Sequence, residues 1–114
     1  MKDKRKYTRL TTAIGVAYKR IIKGKRQRTQ LSTIRNLSGG GFCLWVKEPL
    51  RTGDLLALEI QVPYLNQPID GIGEVVWCTS PMEEEGWETG VRFRDIEPES
   101  LNHILEYVHA VGIG

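Results

Sequence analysis

The chain has 114 residues, 40% of them apolar and 26% charged, with a net charge of +2. That is one ordinary domain, large enough to bury roughly two-thirds of its unfolded surface without disulfides or metals. The longest apolar run, Phe42 to Val46, excludes a helix spanning a bilayer, and Met1-Lys2-Asp3-Lys4-Arg5-Lys6 has no apolar stretch behind its charges, which excludes a secretory signal.

Residues 1–10 read as a flexible basic segment and residues 11–114 as a single folded unit. Thr11 to Ile22 alternates, with Ile14, Val16 and Tyr18 on one face, which predicts a strand. Lys23-Gly24-Lys25 predicts a turn, and Thr29 to Leu37 a second strand. Ser38-Gly39-Gly40-Gly41 predicts another turn, because successive glycines weaken a strand or helix interior. Phe42, Leu44 and Val46 share a face of a third strand. Leu56, Leu58, Ile60 and Val62 alternate with Ala57, Glu59 and Gln61, the clearest strand in the chain.

Pro63 to Pro68 predicts a loop and Ile69 to Cys78 a fifth strand, with Gly71 and Gly73 marking a bulge or a close approach. Thr79 to Glu88 is acidic and reads as an exposed hairpin tip. Val91 and Phe93 alternate with Arg92 and Arg94 in a sixth strand. The period then changes: Leu101, Ile104, Leu105 and Val108 fall on one face of a helix, with Pro98 suited to its start. Six short strands and a helix predict an all-β domain, a small antiparallel barrel or sandwich with the helix covering an open end.

Charge is divided unevenly. Residues 1–35 carry twelve Lys or Arg against Asp3, and residues 36–114 carry four bases against thirteen acids. The first third therefore suits an anionic partner. Cys43 and Cys78 lie in apolar strand-like segments without a Cys-x-x-Cys pair, so they read as small core fillers in a reducing cytoplasm. Catalysis finds little support. His103 and His109 lie six apart on a helix and face different sides, so no shared metal is expected, and no nucleophile elbow, phosphate-binding loop or zinc-protease motif occurs. The expectation is a binding protein, not an enzyme, without cofactor or metal.

Four segments carry a resemblance. Arg5-Lys6-Tyr7-Thr8-Arg9 is an Arg-x-x-x-Arg, and Asn36-Leu37-Ser38-Gly39-Gly40-Gly41 is an Asn-x-Ser-x-x-Gly. With Gly73-Glu74-Val75-Val76-Trp77 and Gly90-Val91-Arg92-Phe93, they resemble the PilZ domain family in order and separation. The resemblance runs from Arg5 to the terminal helix. It implies a six-stranded antiparallel β-barrel with a C-terminal α-helix, and binding of cyclic di-GMP, a bacterial second messenger.

It also implies the site: Arg5 and Arg9 before the first strand, facing Asn36, Ser38 and Gly41 on the barrel, with Lys4, Arg35, Gly40 and Trp77 as secondary contacts. The residue types suit the ligand. A guanidinium grips guanine N7 and O6 with parallel hydrogen bonds, or a phosphate oxygen. Asn36 and Ser38, two apart in an extended chain, would point the same way, toward guanine N–H groups and a phosphate. Gly41 permits a tight turn and close ligand approach.

The function expected is a stand-alone receptor that orders its N-terminal segment over cyclic di-GMP and signals to a separate effector protein. Two alternatives are a ligand-independent PilZ-like interaction module and a small barrel that binds single-stranded nucleic acid. The acidic remainder and the lack of an evident aromatic platform count against nucleic acid.

Overall fold

The computed structural model describes residues 14–37, 40–80 and 85–110. The elements are β1 (Gly15–Ile22), β2 (Lys25–Arg26), β3 (Gln30–Arg35), β4 (Gly41–Val46), β5 (Leu55–Gln61), β6 (Ile69–Thr79), β7 (Trp87–Asp95) and α1 (Pro98–Ala110). The sheet order is β2-β1-β3-β4-β7-β6-β5, and β5 returns to pair with β1 over seven positions, from Gly15↔Gln61 to Ile21↔Leu55. Six strands thus close into an antiparallel barrel. The two-residue β2 only lengthens the hairpin of β1.

Alternation explains which residues fill it. Val16 and Tyr18 of β1, Phe42, Leu44 and Val46 of β4, and Leu56, Leu58 and Ile60 of β5 all point inward and are buried. Phe42 and Phe93 meet inside with ring centroids 5.2 Å apart. Each of these aliphatic and aromatic side chains contributes about 1.5–3 kcal/mol when removed from water. Helix α1 adds Ile104 and Val108 to the same core, with Tyr107 partly buried against it. It packs at the end of the barrel where β1 begins and β5 finishes, beside the loop Val62–Leu65. No helix among the described residues is long and apolar enough to cross a membrane.

Turn chemistry fixes two corners. Lys23 and Gly24 join β1 to β2 with φ of 53° and 79°, the pair of left-handed conformations that a two-residue hairpin turn requires. At Val62–Leu65 the Leu65 N–H donates to the Val62 carbonyl at 3.1 Å, Pro63 occupies the second position and Tyr64 has φ of 79°. This is a type II pattern, whose third position usually holds glycine. The Tyr64 ring instead reaches Tyr107, with centroids 6.1 Å apart.

Four expectations need correction. Gly41 is not part of a turn: it opens β4 and pairs with Arg92, and the Gly40 carbonyl accepts a hydrogen bond from the Phe93 N–H at 3.1 Å. A Cβ on Gly41 would collide with the Val91 carbonyl oxygen, so glycine is required there by the closeness of the neighbouring strand. Lys25 belongs to β2. The sixth long strand begins at Trp87, inside the stretch read as an acidic loop, because Trp87 pairs with Val46 and packs on the core. Cys43 is buried as expected, but Cys78 is only partly so, with its sulfur 3.4 Å from the Thr89 hydroxyl. The bulge expected near Gly71 and Gly73 is present as a register shift between Ile72 and Gly73.

Tyr18 is the last buried residue of β1. Burial, reinforced by Glu48, pushes its hydroxyl up to about 12, while Arg20 pulls the other way. Because the folded state holds this proton more tightly than the unfolded chain, whose tyrosine titrates near pH ~10, the contribution is complete below that pH and is lost as pH rises through about 12. Urea unfolding across this alkaline window should show a shallower loss of stability in Tyr18→Phe than in the parent.

Candidate functional site

The outer surface of β3, β4, β7 and β6 gathers most of the described candidates. Pairing across these strands sets side chains in rows, since residues directly opposite share a face. One row is Arg35, Cys43, Gly90 and Trp77. The row nearer the start of β4 is Gly41, Arg92 and Glu74, and the row beyond is Trp45, Glu88 and Thr79. At an interstrand spacing of about 4.8 Å, the first row spans about 14 Å from the backbone of Arg35 to that of Trp77.

Trp77 reaches this face through a bulge. Simple alternation would put it with Val75, which is buried. The register slips between Val75 and Trp77, so Val76 is extra, and both Val76 and Trp77 emerge with about 40% and 39% of their surface exposed. The indole lies against Gly90, where a Cβ would collide with it. Gly90 therefore forms a flat seat for one part of the ring while another stays open to solvent. Trp45 is held differently. Gly86, at φ of 102°, leaves room beside its Nε1, and the Arg35 guanidinium sits 5.6 Å from its ring centroid. Arg35 also lies 3.9 Å from a Glu88 carboxylate oxygen.

A second bulge builds the neighbouring charge cluster. Ile72 pairs with Asp95 and Gly73 with Phe93, which leaves Arg94 extra on β7. Both Arg92 and Arg94 then reach Glu74. Oε1 of Glu74 accepts from Arg92 Nη2 at 3.0 Å, from Arg92 Nε at 3.2 Å and from Arg94 Nη1 at 2.7 Å. These hydrogen bonds, first from Arg92 and then from Arg94, hold the Glu74 carboxyl below its ordinary value. One carboxylate faces two guanidiniums, so the cluster keeps a positive surplus.

Asn36 follows β3 and is exposed, with φ of 49°. This left-handed conformation corrects the expectation of an extended chain through the motif. Alternation does not carry across it, so the direction of Ser38 cannot be read from that of Asn36. Burial and then Glu88 push the Cys43 thiol upward, while the neighbouring Asn36 side chain and Arg35 act against them. Arg35, Asn36, Gly40, Gly41 and Trp77 thus occupy the described part of one outer face. Lys4, Arg5, Arg9 and Ser38 lie outside the described residues. Among the described residues no three His, Cys, Asp or Glu side chains converge on a metal.

The sequence reading named Cys43, Glu74, Gly90, Arg92 and Arg94 but assigned none of them to the site. The segment Gly90-Val91-Arg92-Phe93 held the signal, because its alternation sends Gly90 and Arg92 outward with the tryptophan opposite. The assembled face offers a planar indole, exposed guanidiniums, a loop amide and backbone bared at glycines. Such groups suit a planar base joined to phosphate.

Comparison with known proteins agrees in outline. The family described as PilZ domain matches residues 3–110 of the chain. Among solved structures, the Bacillus subtilis inhibitor of motility MotI/DgrA is similar in fold, with a TM-score of 0.66 at 17% identity over 82% of this chain. The chain spans 44% of that protein's length. No curated protein matches in sequence.

Two outcomes follow from the geometry. Gly90→Ala should unseat Trp77 at a cost of about 1–3 kcal/mol, seen as a shifted and faster-exchanging indole N–H resonance in a protein that still folds. Glu74 should titrate below an ordinary glutamate, and Arg94→Ala should raise it in an NMR titration. Its stabilising contribution is present above the ordinary glutamate range and is lost as pH falls through the lowered value.

Proposed function

Because the chain belongs to the PilZ domain family, we propose that it binds cyclic di-GMP on the outer face of β3, β4, β7 and β6. The observation that carries this reading is the shared face itself. Gly41 of the second motif stands on the same wall of the barrel as the exposed indole of Trp77, and Asn36 follows directly on Arg35, which pairs into that wall.

Each group has a task that its chemistry supports. The Trp77 ring, seated on Gly90, stacks on a guanine, a contact worth about 1–3 kcal/mol per base. Asn36 presents an amide oxygen to guanine N–H donors. Gly41 keeps the barrel wall low where the ligand approaches. Arg5 and Arg9 close from the other side, one guanidinium on a phosphate and one on a guanine edge, where the planar fork gives two parallel hydrogen bonds that lysine cannot. Ser38 adds a hydroxyl to a phosphate.

Arg35 serves a supporting role, since its guanidinium is shared between the Trp45 ring and Glu88. The ligand is a dianion, and ordering a segment with five bases in residues 1–10 around it offsets their mutual repulsion. The altered surface is what a partner protein reads, which makes the domain a receptor for the second messenger.

Calorimetric titration with cyclic di-GMP tests this, with GTP and the linear dinucleotide as controls. Binding should weaken at least tenfold in Arg9→Ala and by roughly 5- to 100-fold in Trp77→Ala, and should hardly change in Lys25→Ala. Equal affinity for Arg9→Ala and the parent rejects the proposed site.

A further inference from the structure

The end of the barrel away from α1 carries a feature that the outer face does not use. The inward side of β1 runs Val16, Tyr18 and then Arg20. A guanidinium takes the place where the apolar stripe would continue to the barrel mouth. Its Nη2 donates to Asp54 Oδ2 at 3.2 Å, and the same oxygen accepts from the Arg51 backbone N–H at 2.9 Å. Its Nε is buried and has no hydrogen-bond partner among the described residues. The guanidinium is therefore under-coordinated, and a buried donor in that state gains from any acceptor it can turn to meet.

A cleft of about 410 Å³ opens beside it. Tyr18, Ile22 and Leu50 give it apolar surface. Arg20, Arg28 and Lys47 bring three cations from three different segments, against one lining carboxylate, Glu48. Arg28 and Lys47 are exposed and form no ion pair among the described residues. Asp54 already balances much of the Arg20 charge. What remains unspent is the charge of Arg28 and Lys47 and the Nε donor of Arg20.

We propose that this mouth is a second ligand site, for a small phosphate monoester with an apolar or aromatic body. A monoester carries close to two negative charges near neutral pH and three strong acceptor oxygens. Its three oxygens can meet Arg28, Lys47 and the Arg20 Nε–H one each, where a carboxylate has two oxygens for the same three donors. The body of the ligand lies on Tyr18, Ile22 and Leu50. The volume lies within the range of small-molecule sites. The site is built on β1, the β2–β3 connection and the segment after β4, so it is separate from the face of Asn36 and Trp77.

The test is an NMR titration of the full chain, observing arginine Nε–H and tryptophan indole resonances, with phenyl phosphate, benzoate and inorganic phosphate. Phenyl phosphate should shift the Arg20 Nε–H saturably, bind at least tenfold more tightly than benzoate and more tightly than inorganic phosphate, and leave Trp77 unmoved. Arg28→Ala and Lys47→Ala, both at exposed positions, should keep the parent's thermal midpoint and each weaken phenyl phosphate about 3- to 10-fold. The proposal is overturned if benzoate binds as well as phenyl phosphate. It is also overturned if the shifts centre on Trp77 and Asn36, if no saturable shift occurs, or if the Arg28→Ala, Lys47→Ala double variant binds like the parent. Cyclic di-GMP binding at the outer face is read from Trp77 in the same spectra, so failure of one site does not obscure the other.

Discussion

A closed sheet leaves no side chain free to choose its face. Once β5 pairs with β1 over seven positions, each residue in regular register is committed by alternation to the interior or to solvent. The interior accepts this readily, because aliphatic residues fall at alternate positions of β1, β4 and β5. The outer surface is harder to arrange, since groups wanted together must fall on matching positions of four different strands. Here the matching is achieved by breaking the alternation twice, both times between β6 and β7. The extra Val76 turns Trp77 outward, and the extra Arg94 brings a second guanidinium to Glu74.

Glycine completes what the bulges begin. Gly90 is not at a turn and has no unusual backbone conformation to satisfy. It lies mid-strand, and its role is to be thin, so that an indole can lie on the sheet surface. Gly41 is thin for a different reason, the approach of the Val91 carbonyl. Gly86 combines both kinds of demand, with a left-handed backbone and the Trp45 ring against it. Glycine in strands usually lowers stability, and its presence at positions 41 and 90 marks places where close approach outweighs that loss.

Much of the barrel was legible in the amino-acid order because burial is periodic. Leu56, Leu58 and Ile60 point inward as their alternation requires, and Ile104 and Val108 lie on the buried side of α1 as helical spacing requires. Legibility fails where the period itself fails. Trp77 shares the parity of Val75, so period-two reading places it in the core, and only the slipped register shows otherwise. The glycine run looked like a turn because composition cannot distinguish a residue bent by its own φ from one flattened by a neighbour. Asn36 illustrates the same limit, since its left-handed backbone removes the side-chain parity that an extended motif would have carried to Ser38. Glu74, Arg92 and Arg94 were individually ordinary and became a cluster only through pairing between distant segments.

Glu74 carries a consequence for order on this face. Its carboxylate is an anion covalently tethered within reach of Arg92 and Arg94, and its hydrogen bonds hold both guanidiniums in place. Two long, exposed side chains are thereby pinned in one orientation by a single carboxylate, and the part of each guanidinium turned away from Glu74 stays open to solvent.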